Sequence, residues 1–148
     1  MFDELVEYIA EKYSRAEKIV EIGVGHRVDV ARRLMEVLPL ADVVVTDTDD
    51  EPLSSVSIGR LRGVADDVRF PQRSIYDGAA LIYSIHPPVE IVSAMMKLAT
   101  SVAADLLVTP IMDEQETFHN GKWERVVRKG RTIGWLLPSR KITASNSK

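Results

Sequence analysis

Two short segments carry residues whose types and spacing suit chemistry. The first is Glu21-Ile22-Gly23-Val24-Gly25. Two glycines one residue apart permit a tight turn and leave bare backbone against which a ligand can lie. Helical spacing resumes just beyond, so the loop leads into a helix N-terminus with free N–H groups and a partial positive charge. Asp47 follows 22 residues after Gly25, at the end of an apolar run. A carboxylate there can accept both hydroxyl protons of a ribose. These features point to a nucleoside ligand, although a plain strand-to-helix turn would need the same glycines. The second segment is Ser84-Ile85-His86-Pro87-Pro88. Histidine titrates near neutrality and serves as a general base, a role worth roughly 10²–10⁴-fold in rate. A loop histidine capping the next helix is the structural alternative.

Other constellations carry less. A metal site can be drawn from His26, His86, Asp47 and Asp66, but two histidines so far apart are not a ligand spacing, and zinc sites cluster more tightly. No metal is expected. Asp47-Thr48-Asp49-Asp50-Glu51 lacks the glycine and distal glutamate of an EF-hand loop. His119 falls in a solvated turn, and Met95-Met96 lies in an apolar helical stripe that reads as core. The motifs GxSxG, HExxH and GxxxxGK[ST] do not occur, which leaves hydrolase, metalloprotease and P-loop readings without support. The absence of cysteine removes disulfides, thiolate nucleophiles and cysteine metal sites, and fits a reducing, cytoplasmic setting.

The elements that must position these residues follow from periodicity. Phe2, Leu5, Val6, Ile9 and Tyr13 predict an amphipathic helix over 1–17. Lys18–Ile22 reads as a strand, Val28 to Leu38 as a helix stopped by Pro39, and Asp42–Asp47 as a second strand. Its three adjacent valines suit burial on both faces. Between Thr48 and Arg62 there is room for little more than a short helix. Gly63–Ala65, Ala79–Ile85 and Leu106–Thr109 are the remaining strands, with a helix from Pro87-Pro88 to Val102 before the last. Continuous apolar strands alternating with helices predict one three-layer, Rossmann-like α/β domain over 1–138. Its sheet is mainly parallel and five-stranded, in the order 3-2-1-4-5. A hairpin over 122–137 completes it, and 139–148 reads as a disordered tail.

Composition sets bounds. The 148 residues are 45% hydrophobic and 28% charged, with a net charge of −3, as in an ordinary soluble domain. No apolar run approaches the length of a membrane helix, and the acidic start (Asp3, Glu4, Glu7) is unlike a signal peptide. The charge is uneven: from Lys122 onward there are eight lysines and arginines against the single Glu124. Lys122, Arg125, Arg128, Lys129, Arg131, Arg140 and Lys141, interleaved with Trp123 and Trp135, could hold an RNA through phosphates and base stacking. The alternative is that the hairpin buries its tryptophans and leaves its cations solvated.

An acid two places before the first glycine, as Glu21 is, resembles motif I of the Rossmann-like S-adenosylmethionine-dependent methyltransferases, and the likeness covers roughly residues 18–110. The resemblance implies S-adenosylmethionine as cofactor. Glu21, Gly23 and Gly25 would accommodate its methionine part, Asp47 its ribose, and Asp66 or Asp67, after the third strand, the adenine amino group. The chain departs from that pattern at His26, where a third glycine is usual. It also departs at His86, where amino-directed members carry Asp or Asn before Pro-Pro, and at Val89, where they carry an aromatic. Over its whole length the sequence looks most like a small family of uncharacterised archaeal proteins described as trimmed methyltransferase-like domains. Two other readings stay open. One is a non-catalytic binding or assembly module on the same scaffold. The other is an NAD-type dinucleotide binder, against which Val28 speaks, because that fingerprint wants a small residue there.

Overall fold

Short strands buried on both faces can be satisfied only by a sheet covered on both sides, and that is the architecture of the computed structural model. It describes residues 2–23, 25, 27–49, 53, 56–111 and 117–139. The chain runs α1 (Asp3–Lys12), β1 (Lys18–Ile22), α2 (Asp29–Val37), β2 (Asp42–Asp47), β3 (Leu61–Ala65), α3 (Arg73–Tyr76) and β4 (Leu81–Ile85). A 3₁₀ turn at Val89–Ile91 then leads into α4 (Val92–Val102), followed by β5 (Asp105–Thr109), β6 (Glu124–Arg128) and β7 (Arg131–Leu137). The sheet order is β3-β2-β1-β4-β5-β7-β6. β1 to β5 pair in parallel, with Val20 opposite Val44 on one side and Ile82 on the other. β7 lies antiparallel to β5, Leu136 opposite Leu107.

The expected parallel order 3-2-1-4-5 is present. The hairpin, however, is not an appendage to a five-stranded sheet: it extends the sheet to seven strands. Its turn is Lys129-Gly130, both at positive φ (52° and 74°), the φ signs of a type I′ hairpin turn. Other bounds move as well. α1 spans Asp3–Lys12 rather than 1–17, and β3 begins at Leu61. Ala79 precedes β4, its N–H donating to Tyr76 O at 3.0 Å. α3 has no counterpart in the sequence pattern: one helical turn is too short to show periodicity. The tail beyond Ser139, and most of the short helix expected after Thr48, lie outside the described residues.

Alternation along each strand divides the core. Ile19, Val43, Val45 and Leu81 face α1 and α2, meeting Leu5, Ile9 and Leu34. Val20, Val44, Ile82 and Leu106 face α3 and α4, meeting Tyr76, Met95 and Leu98. Leu5, Val6 and Ile9 are each at most 3% exposed, and burying a side chain of this kind contributes about 1.5–3 kcal/mol. The Arg60 guanidinium closes the end of α2 by donating to Leu38 O (2.9 Å), Met35 O (2.8 Å) and Ala41 O. Among the described residues no helix is long and apolar enough to cross a membrane.

Candidate functional site

The order β2-β1-β4 puts the chain reversal between β1 and β4, so the loops leaving β1, β2 and β4 share one edge of the sheet, where open α/β folds bind ligands. Three hydrogen bonds hold that edge together. Gly23 N–H donates to Thr46 O at 2.9 Å, Thr46 Oγ1 to Glu21 O at 3.2 Å, and Ser84 Oγ to Ile22 O at 2.8 Å. Gly23 and Gly25 both adopt left-handed backbone, φ 73° and 57°, a region that disfavours any side chain. A Cβ at either position would meet nothing within 4 Å. The glycines are therefore required by conformation, and the loop presents its backbone to open space.

Asp47 arrives beside this loop from the end of β2. Its Oδ2 accepts the Gly25 N–H at 2.7 Å and its Oδ1 the Asp49 N–H at 3.1 Å. A carboxylate has about four acceptor positions, so capacity for hydroxyl donors remains on both oxygens. α2 starts directly after the loop with Val28 as its N-cap and no side-chain cap, which leaves its first N–H groups to other partners. Val28 packs on the α1/α2 core.

Glu21 sits beneath the loop rather than on it. It is 2% exposed and its Oε1 accepts the Tyr83 hydroxyl at 2.7 Å, tying β1 to β4. Burial pushes its carboxyl up to about 8; the nearby Asp29 charge acts in the same direction, against the Tyr83 hydrogen bond and Arg27. Burial thus favours the protonated form of Glu21, and its side chain braces β1 against β4 from within. The buried Tyr83 phenol is raised well above its usual value, first by burial and then by Glu21.

Asp66 and Asp67 lie after β3, and both are engaged within that loop. Asp66 Oδ2 accepts the Tyr76 hydroxyl at 2.6 Å and Oδ1 the Gln72 N–H at 3.0 Å, which anchors α3. Asp67 pairs with Arg69 at 2.9 Å and accepts its N–H at 3.0 Å. Those contacts hold its carboxyl below the usual range.

His86 follows β4 at φ 53°, and its N–H donates to Thr109 O at 2.7 Å. It does not cap the next helix: neither the 3₁₀ turn nor α4 has a side-chain cap. Its ring instead stands edge-on to Phe2 at 5.9 Å, and the Arg27 guanidinium lies over Phe2 at 4.9 Å. Phe2 thereby links the stretch after the glycine loop to the loop after β4. Sequence reasoning assigns Phe2 to the helix core and gives Arg27 no role; no local pattern marks either. His86 opens into a cavity of about 730 Å³ at the start of α1. His26 lies outside the described residues, among which no group of three or more metal-ligating side chains assembles.

In the basic hairpin it is the alternative reading, buried tryptophans, that the structure follows. Trp123 and Trp135 are 7% and 3% exposed and pack around Phe118, so neither indole is available to a base. Arg128 pairs with Glu11 at 2.7 Å, and Glu4 takes Arg131 at 2.9 Å and Lys129 at 3.8 Å. Lys122 and Arg125 are exposed; Arg140 and Lys141 fall outside the described residues.

Comparison with known proteins agrees with the fold. The TehB-like S-adenosylmethionine-dependent methyltransferase from Corynebacterium glutamicum superposes with a TM-score of 0.64 at 16% identity, over 91% of this chain and 86% of that one. At that identity the likeness is one of fold. Closer in sequence are a UPF0146 protein of Pyrococcus horikoshii, 35% identical over 76% of this chain and 83% of its own, and one of Archaeoglobus fulgidus, 38% identical over 73% and 77%. The family described as "Uncharacterised protein family (UPF0146)" matches residues 2–133. The Rossmann-like sheet is thus what this chain shares with that solved structure, and by sequence it belongs to the UPF0146 family of archaeal proteins.

Proposed function

We propose that the protein binds S-adenosylmethionine or a related adenosyl ligand across the ends of β1 and β2. The observation that carries this reading is the Gly25 N–H held 2.7 Å from Asp47 Oδ2, in a glycine loop whose backbone faces open space. Asp47 would hold the ribose hydroxyls, and the bare backbone of Gly23 and Gly25 the adjoining amino-acid part. The uncapped start of α2 favours a carboxylate there. Val28, partly buried against the core, stands where a dinucleotide fingerprint wants a small residue for close helix–strand approach around a pyrophosphate, so a dinucleotide is the poorer fit. Glu21 acts from below, bracing β1 against β4 through Tyr83. Asp66 and Asp67 shape the loop on the adenine side, their carboxylates satisfied internally.

When bound, S-adenosylmethionine supplies an electrophilic methyl group. The protein's own part in transfer would be alignment and, at His86, acceptance of a proton. The reading that stops at binding draws on the absence of the amide or acid that amino-directed enzymes carry before Pro87-Pro88. Calorimetric titration with S-adenosylmethionine, S-adenosylhomocysteine and NAD tests the proposal. Both adenosyl compounds should bind and NAD should be much weaker. Charge-assisted hydrogen bonds are worth about 1.5–3 kcal/mol, so Asp47→Ala should weaken binding roughly 10- to 100-fold. Unchanged affinity in a folded Asp47→Ala protein would show that the ribose lies elsewhere.

A further inference from the structure

The cavity beside His86 is a second feature, one that an adenosyl ligand on β1 and β2 does not use. Its volume of about 730 Å³ falls in the range that encloses one small molecule. Phe2 and Leu5 from the start of α1, Ile111 after β5 and Ile133 of β7 form apolar walls, while His86 and Thr132 supply polar groups. Among the described residues no hydrogen bond reaches either ring nitrogen of His86. Its left-handed backbone, φ 53°, is a strained conformation for a residue with a side chain, of a kind that concentrates at functional sites. The Thr109 carbonyl holds it there through the His86 N–H. Thr109 Oγ1 in turn donates to Ile133 O at 2.9 Å, so the floor of the cavity is built and not slack.

Charge narrows the occupant. The cation at the rim, Arg131, is already matched by Glu4 at 2.9 Å, and Glu4 is also 3.8 Å from Lys129. Glu4 and Arg131 are the charged groups of the lining and they are paired, so an anionic ligand would have to displace Glu4 and a cationic one would have to displace Arg131. A neutral molecule faces neither cost. The Phe2 ring, set edge-on to His86, favours a flat ring as its next neighbour. A neutral imidazole can accept a hydrogen bond from a hydroxyl.

We infer that this cavity binds one small, planar, uncharged molecule of the phenol class, its ring against Phe2 and Ile133 and its hydroxyl on His86. The site needs no adenosyl ligand to be filled, so it is tested without one. The probe is p-cresol, titrated into the full chain and followed through backbone amide shifts by NMR. Saturable shifts should centre on His86, Thr109, Thr132 and Ile133, with cyclohexanol (not planar) and p-toluate (anionic) clearly weaker. His86→Ala should weaken p-cresol roughly 5- to 10-fold, the worth of one hydrogen bond. Ile111→Trp, at a position 48% exposed and so tolerant of change, should fill the cavity and weaken it at least as much. Shifts that are absent or scattered over the surface would overturn the inference, as would p-toluate binding equal to p-cresol or unchanged affinity in either variant. The titration with S-adenosylhomocysteine is separate, so failure at one site leaves the result at the other intact.

Discussion

Replacing Glu21 by glutamine should remove an alkaline weakness from the protein. The carboxyl is 2% exposed, and burial lifts it from 4.5 to about 8 in the folded chain. In the unfolded chain it returns to an ordinary glutamate value near 4.3. Between those limits the folded state keeps a proton that the unfolded state has released. Stability therefore falls as pH rises through the window, by about 1.4 kcal/mol per pH unit where the slope is full. The loss levels off above pH 8 or so, once the folded state ionises too. Between about pH 6 and pH 9 the single residue accounts for a loss of about 3 kcal/mol, against a total stability of about 5–15 kcal/mol for a typical domain. Glutamine keeps an acceptor for the Tyr83 hydroxyl but does not titrate. Its second N–H is a buried donor in need of a partner, so Glu21→Gln should start about 1–2 kcal/mol below the parent at pH 6 and overtake it by pH 9. Urea titrations at both pH values, followed by fluorescence of the buried Trp123 and Trp135, give the two differences directly. Parallel pH dependence in parent and variant would refute the reasoning, for it would mean that Glu21 is ionised in the folded protein.

Two smaller predictions concern left-handed positions. Ala103 ends α4 at φ 58° and ψ 40°, with Ala104 N–H on Ala99 O at 2.9 Å, the arrangement that glycine favours; Ala103→Gly should raise stability by about 1 kcal/mol, and a lower denaturation midpoint would count against the assigned helix end. Gly25→Ala meets no steric contact but must hold φ 57°, so it should cost about 1 kcal/mol in stability and weaken adenosyl binding; a variant with both unchanged would show that the loop does not need its glycine.

What the sequence disclosed and what it withheld separate along physical lines. β2 was legible because Val43, Val44 and Val45 are all buried, and a short apolar run without alternation, bounded by polar residues, suits a strand covered on both faces. Gly23, Gly25 and Asp47 were legible because backbone freedom and the end of a strand are local properties. The docking of β7 onto β5 was not: a hairpin pattern says that two strands pair with each other, whereas their neighbour is chosen by contacts such as Leu136 opposite Leu107. α3 was hidden for a related reason. Its single turn is held by Asp66, which takes the Gln72 N–H and the Tyr76 hydroxyl. Asp66 and Asp67 show the limit most clearly, since a carboxylate's type can be read from sequence but its partner cannot. The same holds for Glu21, whose burial beside Tyr83, 62 positions away, no local pattern reveals.

The uneven charge along the chain becomes a complement in space, and that bears on nucleic acid. The basic hairpin returns to α1 across 117 and 127 residues to place Arg128 on Glu11 and Arg131 on Glu4. Each exposed pair is worth only about 0.2–1 kcal/mol, so the pairs do not by themselves forbid a phosphate. They do lower the local field, and phosphate binding rests on several unmatched cations acting together. Among the described residues of the hairpin segment, Lys122 and Arg125 are the cations without an ion pair. The other half of single-strand recognition, an open aromatic platform, is missing among the described residues of the hairpin segment, because both indoles are buried around Phe118. Short single-stranded RNA should therefore show no binding in fluorescence anisotropy even at about 50 mM salt, where electrostatic association is favoured. Binding that weakened steeply toward about 200 mM salt would reveal a phosphate-tracking surface and would show that the pairs between the hairpin and α1 give way to it.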